Sequence, residues 1–97
     1  MPKRYPPLSP AEVIKVLEAR GFVFVRTAGS HRRYQGHVRG QARSVTVDMH
    51  YQQLDVKLLK RVIAQSGLTR EEFYGSTRDT AHKINLHADG YPIPLSA

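Results

Sequence analysis

Three short β-prone runs, separated by two glycine-containing breaks, occupy the middle of the chain and constrain its fold more than any other feature. The runs are Phe22–Arg26, His31–Gln35 and Ala42–Met49, which are rich in β-branched and aromatic residues or alternate in polarity. The Gly29-Ser30 pair predicts a tight turn, because glycine permits a positive φ and serine can hydrogen-bond its own backbone. Gly36–Gly40 predicts a loop. The spacing therefore indicates a three-stranded antiparallel meander.

A helix is predicted on each side of these strands. Ser9–Glu12 has the pattern of a capping box with proline at the first helical position, and Gly21 ends the apolar stripe that follows. The second helix is predicted to begin near Leu54 or Asp55 and to end at Gly67. The expected fold class is therefore α+β in the order α-β-β-β-α, with both helices on one face of the three-stranded antiparallel sheet.

The chain of 97 residues is long enough for one small domain. We expect an N-terminal arm over residues 1–8, the domain itself over 9–75, and a C-terminal tail over 76–97. The tail lacks periodicity and is predicted to be irregular or disordered. Within the domain, Thr69–Phe73 predicts one more helical turn after the second helix, with Thr69 as its cap and Glu72 at the capping-box position.

The net charge of +7 is concentrated in the middle of the chain. Between Arg26 and Arg61 there are eight cations and two carboxylates. This excess favours a polyanion partner such as nucleic acid, although a solvated basic surface would have the same composition. The chain has no cysteine, which excludes disulfides and thiolate metal sites, and no apolar run approaches the ~20 residues of a membrane span. A cytoplasmic protein without membrane contact is expected.

The turn at Gly29 and Ser30 is followed at once by His31, Arg32 and Arg33. Histidine titrates near neutral pH, and two permanent cations beside it suit either chemistry on a phosphate or simple anion binding. Because side chains alternate along a strand, Arg33 should share the face of His31 and contact the reacting phosphate, whereas Arg32 should grip a neighbouring one.

Further candidate residues lie later in the chain. His50 follows the third strand and is a possible secondary acid or base, with a capping or loop role as the alternative. Cations on the third strand and on the outer side of the second helix are candidates for RNA backbone contacts, namely Arg43, Lys57, Lys60 and Arg61. No two of the five histidines have the i, i+4 spacing of a helical metal site, so neither a metal nor a cofactor is expected.

From about Ser9 to Phe73 the sequence resembles the HicA (YcfA-like) toxins of bacterial toxin–antitoxin pairs. The resemblance rests on Leu17–Phe22, on the Gly-Ser-His signature within Gly29–Tyr34, and on Val45–Val47 followed by His50 and a closing helix over 58–68. Two features depart from the family: Lys57 stands where many members have glycine, and the tail has no recognised counterpart.

The resemblance implies a fold like that of a double-stranded-RNA-binding domain and a small ribonuclease that cuts messenger RNA. It implies that His31 is catalytic and that a HicB-like antitoxin covers the site, with contact to DNA only through that antitoxin. The substrate would be single-stranded or structured mRNA, bound by Gly29 and Ser30 together with the arginines and lysines named above. One histidine without a carboxylate cluster predicts metal-independent cleavage to a 2′,3′-cyclic phosphate and a 5′-hydroxyl. A non-catalytic RNA-binding module and a small protein that binds an acidic partner are the alternatives.

Overall fold

The computed structural model describes residues 3–96, which form three strands and four helices. Ser9 and Glu12 form the predicted capping box of the first helix, and Asp55 caps the second by accepting from the Leu58 N–H. The elements in chain order are α1 (Pro10–Ala19), β1 (Val23–Ala28), β2 (His31–Val38), β3 (Gln41–Asp48), α2 (Val56–Ser66), α3 (Arg70–Tyr74) and α4 (Arg78–His82).

The sheet is antiparallel with strand order β1-β2-β3, as predicted. Strand β2 continues to Val38, so the predicted loop over Gly36–Gly40 is wrong in extent. Only Arg39 and Gly40 connect β2 to β3, and both have positive φ, +50° and +78°. A two-residue turn with two positive φ values matches the right-handed twist of its flanking strands. The register of the β2–β3 pair then runs without interruption to the opposite end of the hairpin.

One face of the sheet carries the hydrophobic core, and the other is open. Tyr34, Val45 and Val47 are buried on the first face, where α1 and α2 both pack, in agreement with the predicted two-helix arrangement. Helix α2 also lies along β3, where the Gln65 side chain accepts a hydrogen bond from the Thr46 N–H at 3.1 Å. The core combines these residues with side chains from both helices: Val13, Val16, Leu17, Leu59, Val62 and Ile63.

Both ends of the described chain pack on the domain. On the N-terminal side, Leu8 is fully buried and accepts a 2.7 Å hydrogen bond from the Leu54 N–H, and the Tyr74 hydroxyl donates to the carbonyl of Pro6 at 2.8 Å. Of the predicted arm, Met1 and Pro2 lie outside the described residues.

Of the tail predicted to be irregular or disordered, Arg78–His82 forms the short helix α4, and residues 83–96 contain neither helix nor strand. The later part of the tail returns to the domain, where Ile93 donates its N–H to the Gly75 carbonyl at 3.0 Å. Arg20 donates to the Ser76 hydroxyl and to the carbonyls of Ile93 and Glu72. These are long-range polar contacts with one side chain and two backbone carbonyls, and such contacts leave no periodic pattern in the sequence. No helix within residues 3–96 has the length and apolar character to span a bilayer.

Candidate active site

The side chains of His31 and Asp48 are in contact at one end of the β2–β3 hairpin. His31 is the first residue of β2 and Asp48 the last of β3, and the register places them directly opposite each other. The distance from His31 Nε2 to Asp48 Oδ2 is 3.3 Å. The side chain of His31 is 59% exposed and that of Asp48 is 25% exposed, so the imidazole is open to a large substrate while the carboxylate lies deeper.

Two donors hold the other oxygen of Asp48. Its Oδ1 accepts from the Ser30 hydroxyl at 2.8 Å and from the His50 N–H at 2.9 Å. The backbone is tied at the same point, because the Met49 N–H donates to the Ser30 carbonyl at 2.7 Å. The hydrogen bond from the His50 backbone, followed by that from the Ser30 hydroxyl, lowers the pKa of Asp48 below its usual value. The carboxylate is therefore ionised at neutral pH and fixed in orientation toward His31.

His31 and Asp48 lie at the rim of a groove between the end of β3 and helix α2. The groove encloses about 190 Å³ and has Tyr51 and Arg61 among its lining side chains. Its apolar lining comes from Leu54, Leu58 and Val62, and Gln65 adds a polar group. An exposed imidazole, a cation and an exposed aromatic ring therefore surround one small cleft.

Arg33 shares the face of His31, as the alternation along β2 predicts. Both residues line a second, shallower depression of about 200 Å³ together with Arg26 and Thr46. Arg33 lies opposite Thr46 on β3 and Arg26 on β1. The structure thus brings two guanidinium groups to the open sheet face next to the imidazole.

Arg32 points to the other face of the sheet. Its guanidinium carbon lies 4.6 Å from the centre of the Phe24 ring and 5.7 Å from that of Tyr34, both within the range of cation–π contacts. Tyr34 is buried beneath, as expected for a core aromatic. Arg32 is therefore separated by the sheet from the imidazole of the preceding residue.

The remaining predicted cations are spread over the surface. Arg43 lies toward the other end of β3, and its guanidinium group packs against Gly67 at the end of α2. A Cβ atom added to Gly67 would come within 2.5 Å of the Arg43 Nε atom. Lys57 and Lys60 are exposed on α2, and the ammonium group of Lys60 lies 5.3 Å from the centre of the Tyr5 ring. Of the helix cations proposed to bind RNA, Arg61 is thus the one that lines the groove beside His31.

His50 contributes to the site through its backbone. Its N–H holds Asp48, and its ring packs edge-on against Tyr51 with ring centres 5.4 Å apart. Its role as a secondary acid or base stays a prediction.

Gly29 has φ +59° and forms the turn that leads into β2. Because this conformation favours glycine, a Gly-Ser pair precedes the histidine.

Asp48 is the member of this candidate site that sequence reasoning did not single out. The signal was present in the Arg39-Gly40 pair, because a two-residue turn there fixes the register and pairs residue 31 with residue 48. The five-residue loop that we predicted over residues 36–40 allows several registers, so it did not identify Asp48 as the partner of His31.

Within residues 3–96, no group of three histidine or carboxylate side chains is arranged to hold a metal ion.

Comparison with known proteins identifies a family. The family model described as HicA toxin of bacterial toxin-antitoxin matches residues 10–68, a segment that runs from the start of α1 to just beyond α2 and includes every residue of the His31 groove. No individual curated protein matches the chain.

Proposed function

The chain belongs to the HicA toxin family of bacterial toxin–antitoxin systems, and on that premise we propose that it is a type II toxin that cleaves messenger RNA. In this proposal His31 is the catalytic residue of an endoribonuclease that stops translation. A HicB-like antitoxin neutralises it by covering the site. The His31–Asp48 pair beside a cation-lined groove is the observation that carries the proposal.

RNA supplies its own nucleophile, the 2′-hydroxyl next to the scissile phosphate. With His31 Nε2 turned toward Asp48, Nδ1 is the nitrogen available to take the proton of that hydroxyl. The ionised Asp48 then stabilises the imidazolium that forms, as the carboxylate does in other His–Asp pairs. The 2′-oxygen attacks phosphorus, the bond to the 5′-oxygen breaks, and that oxygen takes a proton from water on leaving, after which the His31 imidazolium returns its proton to solvent.

Negative charge builds up on the phosphoryl oxygens during this step. Arg33 on the open sheet face and Arg61 across the groove both lie at the edge of the depressions that His31 lines. Guanidinium groups donate charge-assisted hydrogen bonds to phosphate, often in pairs, and so stabilise this charge. The products are a 2′,3′-cyclic phosphate and a 5′-hydroxyl.

A partner that neutralises the toxin has to reach an exposed imidazole on a basic surface. The excess of cations between Arg26 and Arg61 favours an acidic surface on that partner. We therefore propose that the antitoxin places carboxylates against Arg33 and Arg61 and shields His31 between them. Contact with DNA would then come through the antitoxin.

Growth measurements test this function in cells. Expression of the wild-type chain is expected to arrest growth and to deplete messenger RNA, and expression of His31→Ala is expected to do neither. His37→Ala is the matched control. His37 is also exposed, and it lies six residues along β2 from His31 on the same face of the sheet. Arrest that persists in His31→Ala at equal protein levels would favour the non-catalytic RNA-binding alternative.

A further inference from the structure

The groove beside His31 combines a free aromatic surface with an apolar lining. Tyr51 is 42% exposed, and the edge-on contact with His50 leaves its ring available to a flat ligand. Leu54, Leu58 and Val62 supply the apolar part of the lining. At about 190 Å³ the groove is smaller than the ~300–1,000 Å³ of sites that hold drug-sized molecules, which suits a single planar ring system.

The polar groups that helix α2 contributes to the groove are hydrogen-bond donors, whereas the Asp48 carboxylate on the β3 side is already occupied by Ser30, His50 and His31. Gln65 accepts from the Thr46 N–H through Oε1, and this bond orients the amide so that its NH₂ group is the part left for a ligand. Arg61 on the same helix carries donors and no acceptor. A bound ring therefore has to present acceptors toward α2.

We propose that this groove is a subsite for one unpaired nucleobase and that it selects keto bases over amino bases. Uracil and guanine carry a carbonyl oxygen where cytosine and adenine carry an amino group. Donors on Gln65 and Arg61 pair with the carbonyl and oppose the amino group. Stacking on Tyr51 holds the base, in the manner by which proteins commonly bind single-stranded RNA.

The position of the subsite links it to the cleavage reaction. His31 and Asp48 line the same groove as Tyr51 and Gln65, so a base seated there lies next to the phosphate that His31 contacts. The inference rests on the proposed function for the identity of the ligand, and it adds a preference for the nucleotide adjoining the cut.

Binding of oligonucleotides that lack the 2′-hydroxyl tests the subsite without relying on cleavage. Two matched pairs differ only in the keto or amino group and in the hydrogen on the adjacent ring nitrogen: short single-stranded oligomers of deoxyuridine against deoxycytidine, and of deoxyinosine against deoxyadenosine. Fluorescence anisotropy at fixed salt should show the keto member of each pair bound about tenfold more tightly. Equal affinity within both pairs, or no binding of any of the four, would overturn the proposal.

Variants at two positions separate stacking from hydrogen bonding. Tyr51→Ala should weaken binding of the keto oligomers by about fivefold or more, whereas Tyr51→Phe should bind like the wild type. Gln65→Glu keeps an oxygen acceptor for the Thr46 N–H and replaces the donor NH₂ with a second acceptor, so it should reverse the ratio within each pair. Gln41→Glu adds the same charge at the other end of β3 and should leave the ratio unchanged. Wild-type affinity in Tyr51→Ala, or an unchanged ratio in Gln65→Glu, contradicts the inference.

Loss of the subsite and loss of the proposed function have different signatures. If the chain binds keto oligomers selectively but leaves RNA intact, the subsite stands and the ribonuclease proposal fails. If it cuts RNA without any preference for keto bases beside the cleaved bond, the subsite fails and the ribonuclease proposal stands.

Discussion

Asp48 lies directly opposite His31 in the β2–β3 ladder, and its carboxylate contacts the imidazole at 3.3 Å while two other groups hold it in place. Side chains that face each other across antiparallel strands have their Cβ atoms only ~5 Å apart, so the backbone itself brings this pair together. The Ser30 hydroxyl comes from the turn that precedes β2, so the Gly-Ser-His segment positions Asp48 in addition to the catalytic role proposed for His31.

Asp48→Asn should reduce RNA cleavage more through kcat than through KM. The amide keeps the shape of the carboxylate but loses the charge that stabilises the imidazolium. We expect kcat to fall by about tenfold or more, and by less than the ~10²–10⁴-fold expected for His31→Ala. Single-turnover cleavage of a defined RNA gives the measurement. Asp89→Asn, at an exposed position in the C-terminal segment, is the control, and an equal loss in both variants would count against the pair.

Arg61→Gln should flatten the salt dependence of RNA binding. Each cation that neutralises a phosphate of single-stranded nucleic acid contributes about 0.7 to the slope of log affinity against log salt. Lys83→Gln is the matched control, because Lys83 is paired with Glu12 at 3.6 Å and lies outside the groove. Anisotropy titrations over a range of salt concentrations should show a smaller slope only for Arg61→Gln. A slope equal to that of the wild type removes Arg61 from the RNA interface.

Glu72 should make the fold sensitive to acid. Burial alone would raise its pKa, but hydrogen bonds from Arg39 and from the Thr69 and Ser96 N–H groups outweigh burial and lower the pKa to about 2. A carboxyl with a lowered pKa stabilises the fold above the unfolded value of 4.5, and this contribution is lost as pH falls toward 2. From the shift we estimate the contribution at roughly 3 kcal/mol at neutral pH.

Urea unfolding of Glu72→Gln checks this contribution. The variant should be less stable than the wild type at pH 7, and the difference should shrink as pH falls from about 4.5 toward 2. Glu18→Gln, at an exposed position of α1, should have little effect at either pH. A difference between wild type and Glu72→Gln that stays constant with pH would show that the Arg39–Glu72 contact has no electrostatic role in stability.

Gly36→Ala should destabilise the protein by about 1–3 kcal/mol through overpacking. A Cβ atom at this position would lie 2.8 Å from the ring of Phe22, which is buried in the core, so the ring would have to shift. Gly90→Ala is the control, because the added Cβ atom has no neighbour within 4 Å. Thermal unfolding compares the two. A neutral Gly36→Ala would mean that this position does not pack against Phe22 as part of β2.

Local signals in the sequence predicted local structure well. The Ser9–Glu12 and Thr69–Glu72 capping boxes involve residues three apart, and both form as predicted. The turn at Gly29 also forms, because its conformation depends on that glycine. The order of elements and the face of the sheet that carries Tyr34 follow from such short-range patterns.

Long-range relationships were harder to predict. Arg20 ties the C-terminal segment to α1 through contacts with residues 56 and 73 positions away, and an arginine on an amphipathic helix carries no sign of such partners. The pairing of His31 with Asp48 depends on the register of two strands, and that register depends on the length of one turn. A prediction that placed a loop over residues 36–40 therefore found the imidazole but missed the carboxylate that orients it.

Digestion of a defined RNA by the purified protein, with analysis of the product ends, tests the central claim most directly. The wild type should leave 2′,3′-cyclic phosphate and 5′-hydroxyl ends, with and without a chelator, and His31→Ala should leave the RNA intact while it still folds and binds. Cleavage by His31→Ala at the wild-type rate would contradict the assignment of the imidazole as the catalytic group.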